Sequence, residues 1–265
     1  MAGTSASFIG PQYYNDCMGP LWFEAFADDL ARRLPARITG DVLEIACGTG
    51  LLTKRLRERV PPSLRLVATD ISRPMLDYAR AKLAGTSGVE WQEANAMQLP
   101  FPDERFGVVA CGFGFMFMPD WQDALRQARR VLAKGGILLF SVWDRIERNP
   151  HALANASVLQ SLFPGEPEMW FRAPYEMHDA GLLRRLLDGA RFGDASIEVK
   201  RIAVKADPRS IAIGQIRGTP RALLIEQRGI SLDLVIDKVT EALIKVGGNP
   251  YQGDAQAVIV EARAV

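Results

Sequence analysis

Apolar residues follow two different patterns along residues 40 to 143. Short apolar runs, "DVLEIA", "LRLVATD", "GVVACGF" and "ILLFSVW", are separated by segments whose apolar residues recur every three or four positions. "VEWQEA" adds a run with strict alternation. The runs are typical of strands and the three-to-four spacing of amphipathic helices. Strands and helices in this order predict a parallel sheet with right-handed crossovers.

Capping residues mark where several of these helices begin. Ser72 (followed by Pro74), Asp120 and Asp179 stand at the positions where a side chain can accept from the first free backbone N–H groups. The helix that Asp120 begins is predicted to run through about Leu132 and to end at "KGG".

The C-terminal third has a different pattern. "SIEVKRIAVKA" and "AQAVIVEARA" predict two long strands, and residues 207–253 between them are mostly helical in pattern. The apolar stripe Val235, Val239 and Leu243 predicts one amphipathic helix of this insertion. Because so long an insertion between two strands is usually functional, we expect a cap over a site, with a dimer interface as the alternative.

Composition narrows the class of protein. The formal net charge is +1, with 32 basic and 31 acidic residues, which gives no electrostatic footprint for nucleic acid or for a membrane surface. No apolar run reaches the roughly 18 residues of a membrane span, and no secretory signal is recognised at the start, so we expect a cytoplasmic protein. Three widely spaced cysteines, Cys17, Cys47 and Cys111, predict neither disulfides nor a metal site.

The glycine-rich turn after the first strand, "VLEIACGTG", is the strongest candidate for a ligand site. A phosphate-binding P-loop requires Gly-Lys-Ser/Thr, which is missing. A dinucleotide fingerprint requires a third glycine where this chain has Thr53. Asp70 ends the second strand about 20 residues after Gly50, the position from which a carboxylate can accept from both hydroxyls of a ribose.

These residues resemble the class I S-adenosylmethionine-dependent methyltransferase family of the small-molecule type. "VLEIACGTG" is similar to its first motif, with Ala46 where a glycine is commonest. "EANAMQLPFPDERFGVV" and "CGFGFMFMPDWQDALRQARRVLAKGGILLFSVW" are similar to the segments that follow. Asn95 replaces the usual acid, and Gly107 stands where the family often has Asp. The resemblance covers residues 40–143 and thins out in the insertion.

The resemblance implies S-adenosylmethionine as the cofactor, and a Rossmann-like seven-stranded sheet whose last strand is antiparallel beside the strand near 196–205. It implies that Asp70 holds the ribose, that Ile71 packs on the adenine, and that Asn95 accepts from its amino group. The residues expected at the cofactor are Tyr14, Glu44, Ala46, Cys47, Gly48, Gly50, Asp70, Ile71, Met75, Asn95, Ala96, Met97, Cys111 and Phe113.

The predicted organisation has four parts. They are an N-terminal helical or lid segment (1–39), the cofactor-binding core (40–206), the helical insertion (207–253) and a final strand of the core (254–265).

The expected reaction is methyl transfer to the oxygen, nitrogen or carbon of a small molecule, by a monomer or homodimer. A non-catalytic binder of the cofactor and, less favoured, a nicotinamide-dependent oxidoreductase are the alternatives. No catalytic base is assigned, because the two histidines, His151 and His178, both follow the fifth strand.

Overall fold

A computed structural model describes residues 10–265. The first nine residues, on which part of the predicted N-terminal segment and the signal-peptide prediction fall, lie outside the described residues. The strands are β1 (Asp41–Ile45), β2 (Leu66–Asp70), β3 (Val89–Glu93), β4 (Phe106–Gly112), β5 (Leu132–Trp143), β6 (Phe192–Ala206) and β7 (Tyr251–Ala264).

These strands form one seven-stranded sheet in the order β3-β2-β1-β4-β5-β7-β6. The pairs β2–β3, β1–β2, β1–β4 and β4–β5 are parallel, and β7 runs antiparallel to β5 with Ser141 opposite Ile259. The last strand therefore lies beside β6, and the predicted fold is confirmed. The order reverses between β1 and β4, so the carboxyl ends of these two strands border the crevice where such sheets bind ligands.

The central strands are buried on both faces, which explains their continuous apolar runs. In β2 every residue is buried, and in β4 only Gly112 at its end is partly accessible. β6 is at the sheet edge and shows alternating exposure, with Val199 62% exposed. The change from continuous to alternating apolar residues in the sequence thus reports the position of each strand in the sheet.

Helices fill the connections. They are α1 (Gly10–Tyr13), α2 (Glu24–Arg32), α3 (Leu51–Arg57), α4 (Arg73–Lys82), α5 (Trp121–Val131), α6 (Pro150–Leu162), α7 (Ala180–Gly189), α8 (Pro208–Arg217), α9 (Arg221–Gln227) and α10 (Leu232–Gly247). A π-helical segment (Tyr14–Phe23) joins α1 to α2, and 3₁₀ turns are present at Phe115–Phe117, Ile146–Arg148, Pro167–Met169 and Ala173–Tyr175.

Two of the predicted caps are made by the side chain. Asp120 accepts from the backbone N–H of Asp123 at 2.9 Å, and Asp179 from that of Leu182 at 2.7 Å. Ser72 occupies the cap position of α4 without a side-chain hydrogen bond, and its own backbone N–H donates to the Asp70 carboxylate at 2.7 Å. The end of α5 differs from the prediction: the helix stops at Val131, and Leu132 already belongs to β5.

The chain forms two compact units. The sheet unit comprises residues 24–145, 173–201 and 256–265, and the helical unit comprises residues 1–23, 146–172 and 202–255, of which 10–23 are described at the N-terminus. In the helical unit, α10 packs on α6 and α8, and the predicted stripe Val235, Val239 and Leu243 is fully buried. None of the helices in residues 10–265 has the length and apolar character needed to cross a bilayer.

Candidate functional site

The turn after β1 is built for close approach of another molecule. Ala46, Gly48 and Gly50 have φ angles of 55°, 55° and 80°, in the left-handed region that favours glycine. A Cβ added at Gly48 would meet nothing within 4 Å, whereas one at Gly50 would lie 3.0 Å from Leu83 and 3.2 Å from Ala79. Gly50 is therefore required where α4 packs on the turn, and Gly48 leaves its backbone open toward the crevice.

Asp70, at the end of β2, ties the turn to the second strand. One carboxylate oxygen accepts from the Gly48 N–H at 2.8 Å and the other from the Ser72 N–H at 2.7 Å. The residue is only 8% exposed, and burial raises the pKa of its carboxyl, while the backbone N–H groups oppose the rise. Each carboxylate oxygen keeps a second lone pair, so Asp70 retains the capacity to accept from ligand hydroxyls.

Glu44 lies in β1 directly below the turn and is 1% exposed. Burial raises the pKa of its carboxyl to about 8; the charge of Asp70 adds to the rise, and Thr53 lowers the pKa. Its Oε2 and the buried Thr49 hydroxyl have no hydrogen-bond partner in the described part of the chain, whereas Thr53 hydrogen-bonds to the Glu44 carboxyl. A buried polar group without a partner is rare, so this end of β1 suits the polar part of a ligand.

The residues expected around an adenine come from the ends of β2 and β3. The Ala94 N–H donates to the Asp70 carbonyl at 3.0 Å, which brings the two strand ends together. Ile71 is 67% exposed, as a residue that stacks on a flat ring must be. Asn95 is exposed, and its Oδ1 accepts from the Met97 N–H at 2.9 Å. The other residues expected here differ in burial: Ala96 is buried and Met75 and Met97 are partly buried.

The loop after β4 packs closely against the same turn. A Cβ at Gly114 would lie 2.5 Å from the Ala46 Cβ and 2.6 Å from the Cys111 Sγ, so only glycine fits there. Cys111 is fully buried, and burial raises the pKa of its thiol to about 12. Its role at the cofactor stays a prediction. Gly114 is a site residue that sequence reasoning missed, although "GFGF" signals it.

Phe113 is a core residue of the sheet unit as well as a candidate for the cofactor. Its φ of 59° is unusual for a residue with a side chain. The ring centroid lies 4.5 Å from that of Trp143 and 5.4 Å from that of Phe26. Cys47 is likewise buried, in a cluster with Ala68 and Leu76. Their cofactor roles stay predictions.

Tyr14 belongs to the helical unit, unlike the other predicted cofactor residues. Its ring stacks on that of Phe23, with centroids 4.9 Å apart and planes at 15°. Its role at the cofactor also stays a prediction.

His151, in α6, is a buried histidine whose tautomer follows from its hydrogen-bond partners. It is 1% exposed, its ring stacks on Trp22 at 4.4 Å, and burial lowers its pKa to about 3. The Gln215 amide nitrogen lies 3.1 Å from His151 Nδ1 and 3.3 Å from the His151 carbonyl oxygen. Because a carbonyl oxygen only accepts, the amide nitrogen must face it, and it donates to Nδ1 as well. The imidazole is thus neutral with its proton on Nε2, a hydrogen-bond donor and not a base.

Sequence comparisons show that the segment containing this turn is similar to a known family. Residues 42–136 match the methyltransferase domain family. The ubiquinone/menaquinone biosynthesis C-methyltransferase UbiE of Pseudomonas fluorescens is 42% identical over 125 residues, which are 46% of this chain and 47% of that protein. The demethylmenaquinone methyltransferase of Thermus thermophilus is 41% identical over 120 residues, 44% of this chain and 52% of that protein.

The solved structures agree on the fold. A putative methyltransferase of Bacillus halodurans has a TM-score of 0.61 and 22% identity, covering 91% of this chain and 99% of that chain. This chain spans about half the length of the curated relatives that it matches. The family resemblance of the motifs is confirmed, and the match ends at residue 136, before the helical unit resumes at Ile146.

Proposed function

We propose that this chain transfers the methyl group of S-adenosylmethionine to a small-molecule acceptor, a proposal supported by the match of residues 42–136 to the methyltransferase domain family. One observation carries the proposal: the crevice end of β1 and β2 brings together an open Gly48 backbone, the Asp70 carboxylate and the Glu44 carboxyl, whose Oε2 has no partner in the described residues. These groups fit the ribose and the amino acid part of the cofactor. A nicotinamide dinucleotide fits less well, because Thr53 is fully buried where its third glycine is required.

Each of these residues has a definite task in the proposed complex. Asp70 accepts from the ribose hydroxyls and Ile71 covers the adenine. The Gly48 backbone allows the amino acid part to approach, and Glu44 offers an anion to its ammonium group. Bound S-adenosylmethionine supplies an activated methyl carbon. The protein's part is to align the acceptor in line with that carbon and to exclude water.

The acceptor is proposed to be a small molecule. The net charge of +1 gives no support for a polyanion. The relatives named above are a C-methyltransferase of ubiquinone/menaquinone biosynthesis and a demethylmenaquinone methyltransferase, so C-methylation is the first reaction to test. The match to the family covers residues 42–136 alone, and we assign the choice of acceptor to the helical unit and the 207–253 insertion.

His151 does not act as the base in this scheme, because its Nδ1 accepts from Gln215 and its pKa is lowered to about 3. The acceptor must then be nucleophilic by itself, as a carbanion or an ionised oxygen is, or lose its proton to solvent.

Calorimetry and a methyl-transfer assay test the proposal together. Titration with S-adenosylmethionine should give saturable binding, and titration with NADH should give none. Radiolabelled methyl groups should move from the cofactor to at least one member of a panel of phenols, quinols, amines and carboxylic acids. Binding of NADH alone would favour an oxidoreductase, and cofactor binding without transfer to any acceptor would favour the non-catalytic binder.

A further inference from the structure

Glu44 is the most unusual ionisable group in the sheet unit. It is the penultimate residue of β1, just before the turn, and is 1% exposed. Its Oε2 meets no hydrogen-bond donor in the described residues. The neighbouring Thr69 hydroxyl is occupied, since it donates to the Glu44 carbonyl oxygen at 2.8 Å. Thr53 opposes the effect of burial, because its hydroxyl and its backbone N–H hydrogen-bond to the Glu44 carboxyl. No positive charge adds to this opposition among the ion pairs of the described residues.

The charged group that acts on Glu44 is itself an acid, Asp70 from β2. Glu44 in turn raises the pKa of two buried thiols, Cys47 in the turn and Cys111 in β4. No arginine, lysine or histidine makes an ion pair with Glu44 among residues 10–265. An unpaired carboxylate in such a place is costly, and it becomes neutral by keeping its proton. Burial, with Asp70 adding to the effect, therefore raises the pKa of Glu44 to about 8.

We propose that Glu44 is a neutral carboxylic acid in the ligand-free protein and releases its proton to solvent when an ammonium group binds at the turn after β1. This inference rests on the proposed function, because the ammonium group is that of the methionine part of the cofactor. The exchange balances: the carboxylic acid and the ammonium ion become a carboxylate–ammonium pair, and one proton leaves. The cation replaces the missing positive charge, which lowers the pKa of Glu44 in the complex.

The exchange gives cofactor binding a definite pH dependence. The ligand's α-amino group itself titrates at about 7.7–8.0. Below pH 7 binding therefore requires Glu44 to lose a proton. Near pH 8 the proton that Glu44 loses on binding is balanced by the proton that the ligand's amino group takes up. With both groups titrating near 8, affinity should be about twentyfold higher at pH 8 than at pH 6 and should fall again above pH 8.

Calorimetry in buffers of different ionisation enthalpy measures the released proton. S-Adenosylhomocysteine, which keeps the ammonium group, should release about 0.8 proton at pH 7. 5′-Methylthioadenosine, which lacks the amino acid part, should release none and bind independently of pH. Glu44→Gln should abolish the release for the first ligand, whereas Glu241→Gln, at an exposed position of α10, should leave it unchanged.

Infrared spectroscopy tests the ligand-free state without any binding step. Wild-type protein at pH 7 should show a protonated carboxyl band that is absent in Glu44→Gln and disappears as the pH rises through about 8. The absence of that band in wild type overturns the proposal even if Glu44→Gln fails to fold. Binding of S-adenosylhomocysteine without proton release overturns the proposal and leaves the proposed function intact. If S-adenosylmethionine, S-adenosylhomocysteine and 5′-methylthioadenosine all fail to bind, the proposed function is overturned, and with it the proton release on ammonium binding. The protonated carboxyl band then still reports whether Glu44 is neutral in the ligand-free protein.

Discussion

The sheet unit and the helical unit handle buried polar groups differently. In the sheet unit they include two acids at strand ends: Asp70 is held by two backbone N–H groups, and Glu44 keeps an oxygen without a partner in the described residues. In the helical unit they are mainly neutral, and the one buried charge of the described residues there is the Arg221 guanidinium, which lies over the Phe171 ring. Asn155 Oδ1 and Gln215 Oε1 are buried without hydrogen-bond partners in the described residues, and Gln215 holds the imidazole of His151.

The two sets of buried groups differ in whether a sequence motif can predict them. The buried acids of the sheet unit lie at positions that the topology of a parallel sheet fixes, so a motif can encode them. The neutral groups of the helical unit come from α6 and α8, which meet only through packing. The family match over residues 42–136 accordingly covers a part of the sheet unit and no residue of the helical unit.

Removal of the 207–253 insertion should have the largest effect. With residues 209–250 replaced by a short Gly-rich bridge, we expect cofactor affinity to survive and acceptor turnover to be lost, because the groups proposed to hold the cofactor lie in the sheet unit. Calorimetry and the methyl-transfer assay measure the two quantities.

The deletion also uncovers α6, on which α10 packs, so circular dichroism must confirm that the variant is folded. A change from dimer to monomer in light scattering, with the site intact, would favour an interface. Retained turnover in a folded variant would exclude the cap.

Glu44→Gln should stabilise the ligand-free protein at alkaline pH. The pKa of Glu44 is raised from 4.5 to about 8 in the folded state, so the folded protein binds more protons than the unfolded chain between these values. Stability from this group is then present below about pH 4.5 and is lost as the pH rises toward 8. At about 1.4 kcal/mol per unit, the loss is on the order of 5 kcal/mol.

The midpoint of thermal unfolding of Glu44→Gln should exceed that of wild type by an amount that grows by about 5–10 °C between pH 5 and pH 8.5. Glu241→Gln, an exposed position, provides the control. A constant difference across this range would contradict the raised pKa of Glu44.

Asp70→Ala should weaken S-adenosylmethionine binding by about ten- to hundredfold, because hydrogen bonds to a charged group are worth about 1.5–3 kcal/mol. The variant also loses the acceptor for Gly48 and Ser72, so its unfolding must be followed alongside its affinity. Asp77→Ala, which removes a half-exposed carboxylate from α4, should bind as wild type does. Unchanged affinity in Asp70→Ala would refute the ribose assignment.

The smallest effect is spectroscopic and concerns the helical unit. With ¹⁵N-labelled histidine, His151 should show an unprotonated Nδ1 and a protonated Nε2 that do not change from pH 5 to pH 8. His178 should show a protonated Nδ1, because this atom lies 2.7 Å from the Tyr175 carbonyl oxygen.

The chain has two histidines, so His178→Gln assigns the signals. Gln215→Leu removes the donor to Nδ1 and should allow the other tautomer of His151 to appear. A His151 signal that titrates above pH 5 would restore it as a candidate base.

The sequence by itself determined the sheet and the cofactor side of the candidate site. Continuous apolar runs follow from burial on both faces, and caps such as Asp120 and Asp179 act within three residues of themselves. The turn with Gly48 and the acid at Asp70 can be recognised because a strand end and the next helix start are adjacent in the chain. These features can be predicted because the residues that form each of them are close together in the sequence.

Only the tertiary structure decided what depends on distant segments. The helix α5 was predicted to run through about Leu132, and it ends at Val131 because Leu132 pairs with Phe106 of β4. Such pairing between strands cannot be read from the capping residues of a helix. Gly114 matters because a side chain there would collide with Ala46, 68 positions earlier. The protonation of Glu44 depends on how completely β2 and β4 cover it, and the tautomer of His151 on an amide 64 residues away. Burial and long-range hydrogen bonds set these states, and no short stretch of sequence contains both partners.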